Sequence, residues 1–287
     1  GGGGKSRWRV GRSRFTGWGA MASERNQTGE MAAGRDVLVG ALVGHFSGRG
    51  PREELPKEVL RELGQELAAS GLVRDELVAF WNLLEEGLGR VGYRRPSGGE
   101  VTVLNLACGP CIEGAIFGAY FGEPGGVDGG RNRVRMFGMD LRGQEIEKAK
   151  RRYAATEEIF RGAGLPLLRE SADETAAEVE FFADDATRLV GYKEIPEAFD
   201  VVFIRHQNVW NDRLAWRKIY AFALGAVAEG GLMVITSYFD REHLIALELV
   251  KMLGGEVVVS VRNPRTVELD APGKSADRHL AVIRRKA

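Results

Sequence analysis

The chain has 287 residues, 44% of them hydrophobic, with 40 basic and 40 acidic side chains and two cysteines. That length supports one sizeable domain with an appendage. Its apolar runs fall far short of the ~18 residues of a membrane span, and two cysteines make no disulfide framework, which points to a reducing compartment. Charge is uneven: residues 1–35 carry seven basic side chains against two acidic ones, leaving 33 against 38 beyond them. A body near −5 argues against a large nucleic-acid footprint.

Residues 1–20, GGGGKSRWRVGRSRFTGWGA, are rich in glycine and arginine without a period. GGGGKS resembles the end of a phosphate-binding loop, but it lacks the preceding strand that such a loop needs. The stretch has no apolar core of the secretory-signal kind. Its basic, acid-free composition suits a transit peptide, while its glycines make a poor amphipathic helix. Met21 reads as a start with the first twenty residues as a leader, and disorder is expected to residue 34.

Three helical patterns follow. Residues 36–46 are short and apolar; Leu55, Val59, Leu60, Leu63 and Leu67 share one face after Glu53 and Glu54, which suit a helix start. Leu77, Phe80, Trp81, Leu84 and Leu88 fall at i, i+3, i+4, i+7 and i+11, a core-facing stripe in which Trp81 reads as packing. Residues 35–96 are therefore expected to form an N-terminal helical cover, ending in the linker YRRPSGGE.

From residue 101 the pattern alternates. VTVLNLA is a buried strand that turns sharply at Gly109-Pro110 into the helical stretch IEGAIFGAYF. Strands are predicted at 133–140, 179–183, 199–205 and 232–238, with helices at 144–160, 212–228 and 241–253. Gly230-Gly231 and Gly254-Gly255 are read as the stops of the last two helices. Residues 256–262 and 279–285 are two final strands with no helix between them, hence an antiparallel pair at the sheet edge. Seven strands, the first five parallel, make an α/β doubly wound sheet, and ligands of such sheets bind beyond the strands' carboxyl ends.

The order and spacing over residues 100–287 resemble a class I S-adenosylmethionine-dependent methyltransferase. The family opens with an acid and Gly-x-Gly-x-Gly at the end of strand one. Here the frame is Asn105-Leu106-Ala107-Cys108-Gly109-Pro110-Cys111, with Asn105 in place of the acid, Ala107 and Cys111 in place of two glycines, and Gly109 retained. Asp140, ending strand two, matches the carboxylate that accepts the ribose hydroxyls in charge-assisted hydrogen bonds. Asp185, in Asp184-Asp185-Ala186, matches the acid that accepts from the adenine amino group. The bland reading of both acids is helix capping. The resemblance implies a Rossmann-like methyltransferase domain over 97–287 and S-adenosylmethionine as methyl donor. It also implies a donor site of Asn105, Ala107, Cys108, Gly109, Asp140, Leu141, Asp185, Ala186 and Arg205.

After strand four comes RHQNVWND, residues 205–212, at the crevice edge. His206 is the candidate general base, because imidazole titrates near 6.5. Gln207 and Asn208 could orient an acceptor, Trp210 and Tyr238 could wall its pocket, and Asn211 or Asp212 should cap the next helix. The Asn-Pro-Pro-aromatic signature of amino methyltransferases acting on bases is absent. Cys108-Gly109-Pro110-Cys111 also matches the dithiol of thioredoxin-like oxidoreductases, opposed here by the missing preceding tryptophan and the long parallel series. No second Cys/His pair stands at zinc-ligand spacing. The expected function is methyl transfer to a small organic acceptor in the cytoplasm. Protein or RNA acceptors, a silent donor-binding protein and a dithiol oxidoreductase are the alternatives.

Overall fold

The computed structural model describes residues 74–94, 98–122, 132–162, 178–186 and 195–286. The predicted leader and the helices at 36–46 and 53–67 lie outside the described residues.

The described chain runs α1 (Arg74–Arg90), β1 (Glu100–Leu106), α2 (Gly114–Gly122), β2 (Arg133–Asp140), α3 (Gly143–Gly162), β3 (Glu178–Ala183) and β4 (Phe199–Arg205). It continues through α4 (Arg213–Gly225), β5 (Val227–Ser237), α5 (Asp240–Met252), β6 (Gly255–Arg262), a small hairpin of β7 (Val267–Glu268) and β8 (Ser275–Ala276), and β9 (His279–Arg285). The main sheet has seven strands in the order β3-β2-β1-β4-β5-β9-β6. β1 to β5 pair in parallel, and β9 lies antiparallel between β5 and β6. This order, reversing between β1 and β4 and closed by an inserted antiparallel strand, is the Rossmann-like methyltransferase sheet.

The strands are buried on both faces, so their apolar residues divide by parity between two cores. Val101, Val103, Met136, Phe181, Phe203, Val234, Leu280 and Val282 face one core, with α1, α2 and α3. Leu104, Leu106, Phe137, Met139, Ile204, Met233, Ile235 and Ile283 face the other, with α4 and α5. Phe80, Trp81, Leu84 and Leu88 of the stripe on α1 are buried as expected. Phe80 meets Phe117 and Phe203 edge-on at 5.9 and 5.5 Å, and Trp81 meets Tyr120 at 5.1 Å. Asp212 caps α4, its Oδ1 accepting the Ala215 N–H at 2.9 Å.

One boundary differs. Gly230-Gly231 do not end α4, which stops at Gly225; they lie inside β5. The register of β5 on β4 jumps there, from Phe199↔Val227 to Val201↔Leu232. Gly230 takes φ 76°, and a Cβ on Gly231 would stand 2.9 Å from the Phe199 carbonyl oxygen. The two glycines therefore make a bulge, a strand signal that resembles a helix stop in one dimension.

Candidate functional site

The five residues after β1 hold three left-handed backbones: Ala107 at φ 52°, Gly109 at 53° and Cys111 at 45°. His206, directly after β4, has φ 57°, and Asp277, two residues before β9, has φ 46°. The four non-glycine cases are the only ones among the described residues, and all lie at the carboxyl edge of the parallel strands. Such conformations cost about 1–3 kcal/mol each and persist where the surroundings over-determine them.

On the β1–β2 side, the Gly109 N–H donates to Asp140 Oδ2 at 2.8 Å. The Arg142 backbone N–H and Nε donate to Oδ1 at 2.9 and 3.0 Å, and Nη2 to Oδ2 at 3.2 Å. Burial pushes the Asp140 carboxyl up, but the bonds from Arg142 and Gly109 outweigh it and hold the group below the ordinary carboxylate value. Leu141, beside it, is 75% exposed. The Asp184 N–H reaches the Asp140 carbonyl at 3.1 Å, which ties the β3 turn to the β2 turn. Asp185 is half-buried there, its N–H on Asp184 Oδ1 at 2.8 Å, and Ala186 is buried.

Under the β4 edge lies a buried ionic cluster. Arg205 Nε and Nη2 grip the two oxygens of Asp277 at 3.0 and 2.6 Å, and Nη1 reaches Glu113 Oε2 at 3.2 Å. Its guanidinium carbon also stands 4.9 Å over the Phe80 ring, brought by α1. Asn105 Nδ2 donates to Glu113 Oε1 at 2.6 Å and to Cys111 Sγ at 3.4 Å. An acid at 105, usual in the resembled family, would set a carboxylate against Glu113; an amide supplies a donor instead. Asn105 Oδ1 is buried without a hydrogen-bond partner among the described residues.

Thr236 Oγ1 donates to Asp277 Oδ1 at 2.7 Å, and His206 Nε2 lies 2.8 Å from the same oxygen. Burial raises the Asp277 carboxyl, but Arg205 and His206 overrule it and hold it far below the carboxylate range. His206 is lowered from 6.5, chiefly by burial and also by Arg205, with Asp277 pulling the other way. The imidazole stacks on Tyr238 at 3.8 Å, and Lys274 Nζ stands 4.5 Å over the Tyr238 ring.

The remaining predicted acceptor residues divide. Gln207 is buried, its Nε2 donating to the carbonyls of Ile204 and Thr236 at 2.9 and 2.5 Å and its Oε1 accepting the Tyr220 hydroxyl at 2.8 Å. Asn208 is exposed, and Trp210 is 41% exposed with its ring edge-on to Phe239 at 5.0 Å. Cys108 and Cys111 are free and buried. The Cys111 hydrogen bond and burial push the Cys108 thiol well up, the reverse of what a nucleophilic dithiol needs. Sequence reasoning missed Glu113 and Asp277. Glu113 signals itself as an acid eight residues after Asn105; Asp277 has no signal beyond an acid shortly before the last strand.

No family model matches the sequence, and no curated protein does. Solved structures similar to the chain include a TehB-like SAM-dependent methyltransferase from Corynebacterium glutamicum (17% identity, 80% of this chain and 97% of that one, TM-score 0.43). A SAM-dependent methyltransferase from Clostridium acetobutylicum is similar at 10% identity, over 80% of this chain and 99% of that one, with TM-score 0.44. A ribosomal protein methylase from Lactobacillus delbrueckii is similar at 12%, over 71% of this chain and 78% of that one, with TM-score 0.42. The fold, the Rossmann-like methyltransferase sheet, rests on strand order and register.

Proposed function

We propose that the chain binds S-adenosylmethionine and transfers its methyl group to a small organic acceptor. The observation that carries this reading is Asp140: a carboxylate at the end of β2, held ionised, beside a left-handed turn that brings backbone N–H groups close. The residues fit an adenosyl group. Asp140 can accept from a ribose once the exposed Arg142 guanidinium swings away, Leu141 offers an apolar face to the adenine, and Asp185 stands beside it for the exocyclic amine. Asn105, Ala107, Cys108 and Gly109 form the floor, with Arg205 beneath as the cation that holds it together.

S-adenosylmethionine supplies an activated methyl group on a sulfonium. This chain then has to position the acceptor and exclude water. Trp210, Phe239 and Tyr238 present aromatic surface for an organic acceptor, with Asn208 at the rim; Gln207 keeps the loop in place from below. His206 is the candidate base. Two free cysteines agree with a reducing, cytoplasmic setting, and no described helix is long and apolar enough to cross a membrane.

Titration calorimetry with S-adenosylmethionine tests the reading. Micromolar affinity, roughly −8 kcal/mol, is expected, with Asp140→Ala weakening it. Binding of NAD with none of S-adenosylmethionine overturns the assignment.

A further inference from the structure

Seven large hydrophobic side chains are exposed among the described residues, and three of them share one corner: Trp210 at 41%, Leu214 at 72% and Leu244 at 62%. Trp210 lies in the loop after β4, Leu214 in the first turn of α4 and Leu244 in the second turn of α5. Two contacts bring them together. The Trp210 ring meets that of Phe239, the residue before α5, at 5.0 Å, and Arg213 Nη2 of α4 reaches Glu248 Oε2 of α5 at 3.3 Å. The start of α4 therefore lies along the stretch of α5 between Phe239 and Glu248, which carries Leu244.

Cations surround these side chains. Arg217 and Lys218 follow Leu214 by three and four residues and share its helix face, and Arg241 precedes Leu244 by three. All three are exposed, and none has an ion-pair partner among the described residues. Arg213 is balanced by Glu248, Asp240 by Arg278, and Asp212 is occupied as the cap of α4. Arg213, Arg217, Lys218 and Arg241 against Asp212 and Glu248 leave the corner at +2, on a body that is near −5. Exposed apolar side chains rimmed by charge of one sign mark an interaction surface.

We propose that this corner rests on an anionic lipid surface, with Leu214 and Leu244 entering the boundary between headgroups and acyl chains and Arg217, Lys218 and Arg241 meeting lipid phosphates. Charge complementarity selects the occupant. A second copy seated face to face sets these cations against their own kind. A nucleic acid matches the charge but offers no apolar layer to two projecting leucines. An acidic protein needs a separate apolar pocket for each, because the Arg213–Glu248 ion pair lies between the helices that carry them. A bilayer interface takes each leucine singly, while the stems of Arg and Lys bury beside them and their charged heads stay with the phosphates. Lipid docking of this face is independent of the methyl-transfer reading.

The test is co-sedimentation of the full chain with vesicles of phosphatidylcholine alone and of phosphatidylcholine mixed with phosphatidylserine. Binding to the mixed vesicles, and little to the neutral ones, is expected. Leu214→Ser with Leu244→Ser, and separately Arg217→Glu with Lys218→Glu, should each lower partitioning about tenfold or more. All four side chains are exposed, so both variants should keep the wild-type circular dichroism and melting curve. No binding to the mixed vesicles overturns the proposal. Binding that survives unchanged in the leucine variant belongs elsewhere, such as the seven basic side chains of residues 1–35, and overturns it too. Single-stranded RNA or polyglutamate held more tightly than the mixed vesicles makes the corner a site for that polyanion and overturns the lipid assignment.

Discussion

Arg205 and Asp277, 72 residues apart, form a two-pronged buried ion pair with N···O distances of 3.0 and 2.6 Å. It joins the end of β4 to the turn before β9 and so closes the carboxyl edge of the sheet. Removing Asp277 leaves the buried guanidinium with Glu113 as its one carboxylate partner among the described residues. Asp277→Ala should therefore lower unfolding free energy by about 3–5 kcal/mol. The double change Arg205→Met with Asp277→Leu should be less damaging than the two single changes summed, because the interaction between them is lost only once, while Glu113 keeps the Asn105 amide as its partner. Urea titrations of the four proteins measure this; additive losses would show that the pair does not act as a unit.

Asp140 and Arg142 make opposite predictions for donor binding. The guanidinium occupies carboxylate lone pairs that a ribose would use, on a side chain that is 65% exposed. Asp140→Ala should weaken S-adenosylmethionine affinity by about tenfold or more, the loss of a charge-assisted hydrogen bond. Arg142→Ala should preserve or tighten it. If calorimetry shows Arg142→Ala to be the more damaging change, the guanidinium itself touches the ligand.

Glu242, at the start of α5, sets a pH dependence of stability. Its Oε2 accepts the N–H groups of Tyr238 and Phe239 at 2.7 and 3.2 Å, but Oε1 is buried without a hydrogen-bond partner among the described residues. Burial pushes its pKa from 4.5 up to about 8, against the pull of those two N–H groups and of Lys274. The folded value lies above the unfolded one, so this contribution is fully present below pH 4.5 and is lost as pH rises towards about 8. Glu242→Gln keeps an acceptor for the backbone and removes the titration. It should unfold at higher temperature than the wild type at pH 8.5, the whole shift corresponding to a stability difference of at most about 5 kcal/mol, with little difference at pH 5. Parallel melting curves across that range would exclude a buried titrating carboxyl.

The Cys108 thiol is pushed up by the Cys111 hydrogen bond and by burial, and both cysteines are buried. Native protein at pH 8 should react with a chromogenic disulfide reagent far more slowly than denatured protein, since the thiolate is the attacking species. Cys108→Ser with Cys111→Ser should retain donor binding. Rapid reaction of either thiol in the native state would reopen the dithiol reading.

Strand and helix order from residue 100 onward was legible in the sequence, because central parallel strands buried on both faces read as apolar runs and the helices between them as amphipathic periods. β2, β4 and β9 fall on the predicted residues, and Asp212 caps α4 as its position suggests. Local chemistry determined these features. Gly230-Gly231 mark the limit: a helix stop and a strand bulge use the same residues, and only the register of β5 on β4 separates them. The ionic cluster lay further out of reach. Glu113, Arg205, His206 and Asp277 belong to three separate segments, and no periodicity links an acid before the last strand to an arginine ending the fourth. Insertion of β9 between β5 and β6 carries Asp277 to the edge where Arg205 and His206 end β4. Tertiary structure alone decided that meeting, because charges this far apart in the chain are brought within hydrogen-bond distance only by the pairing of strands around them.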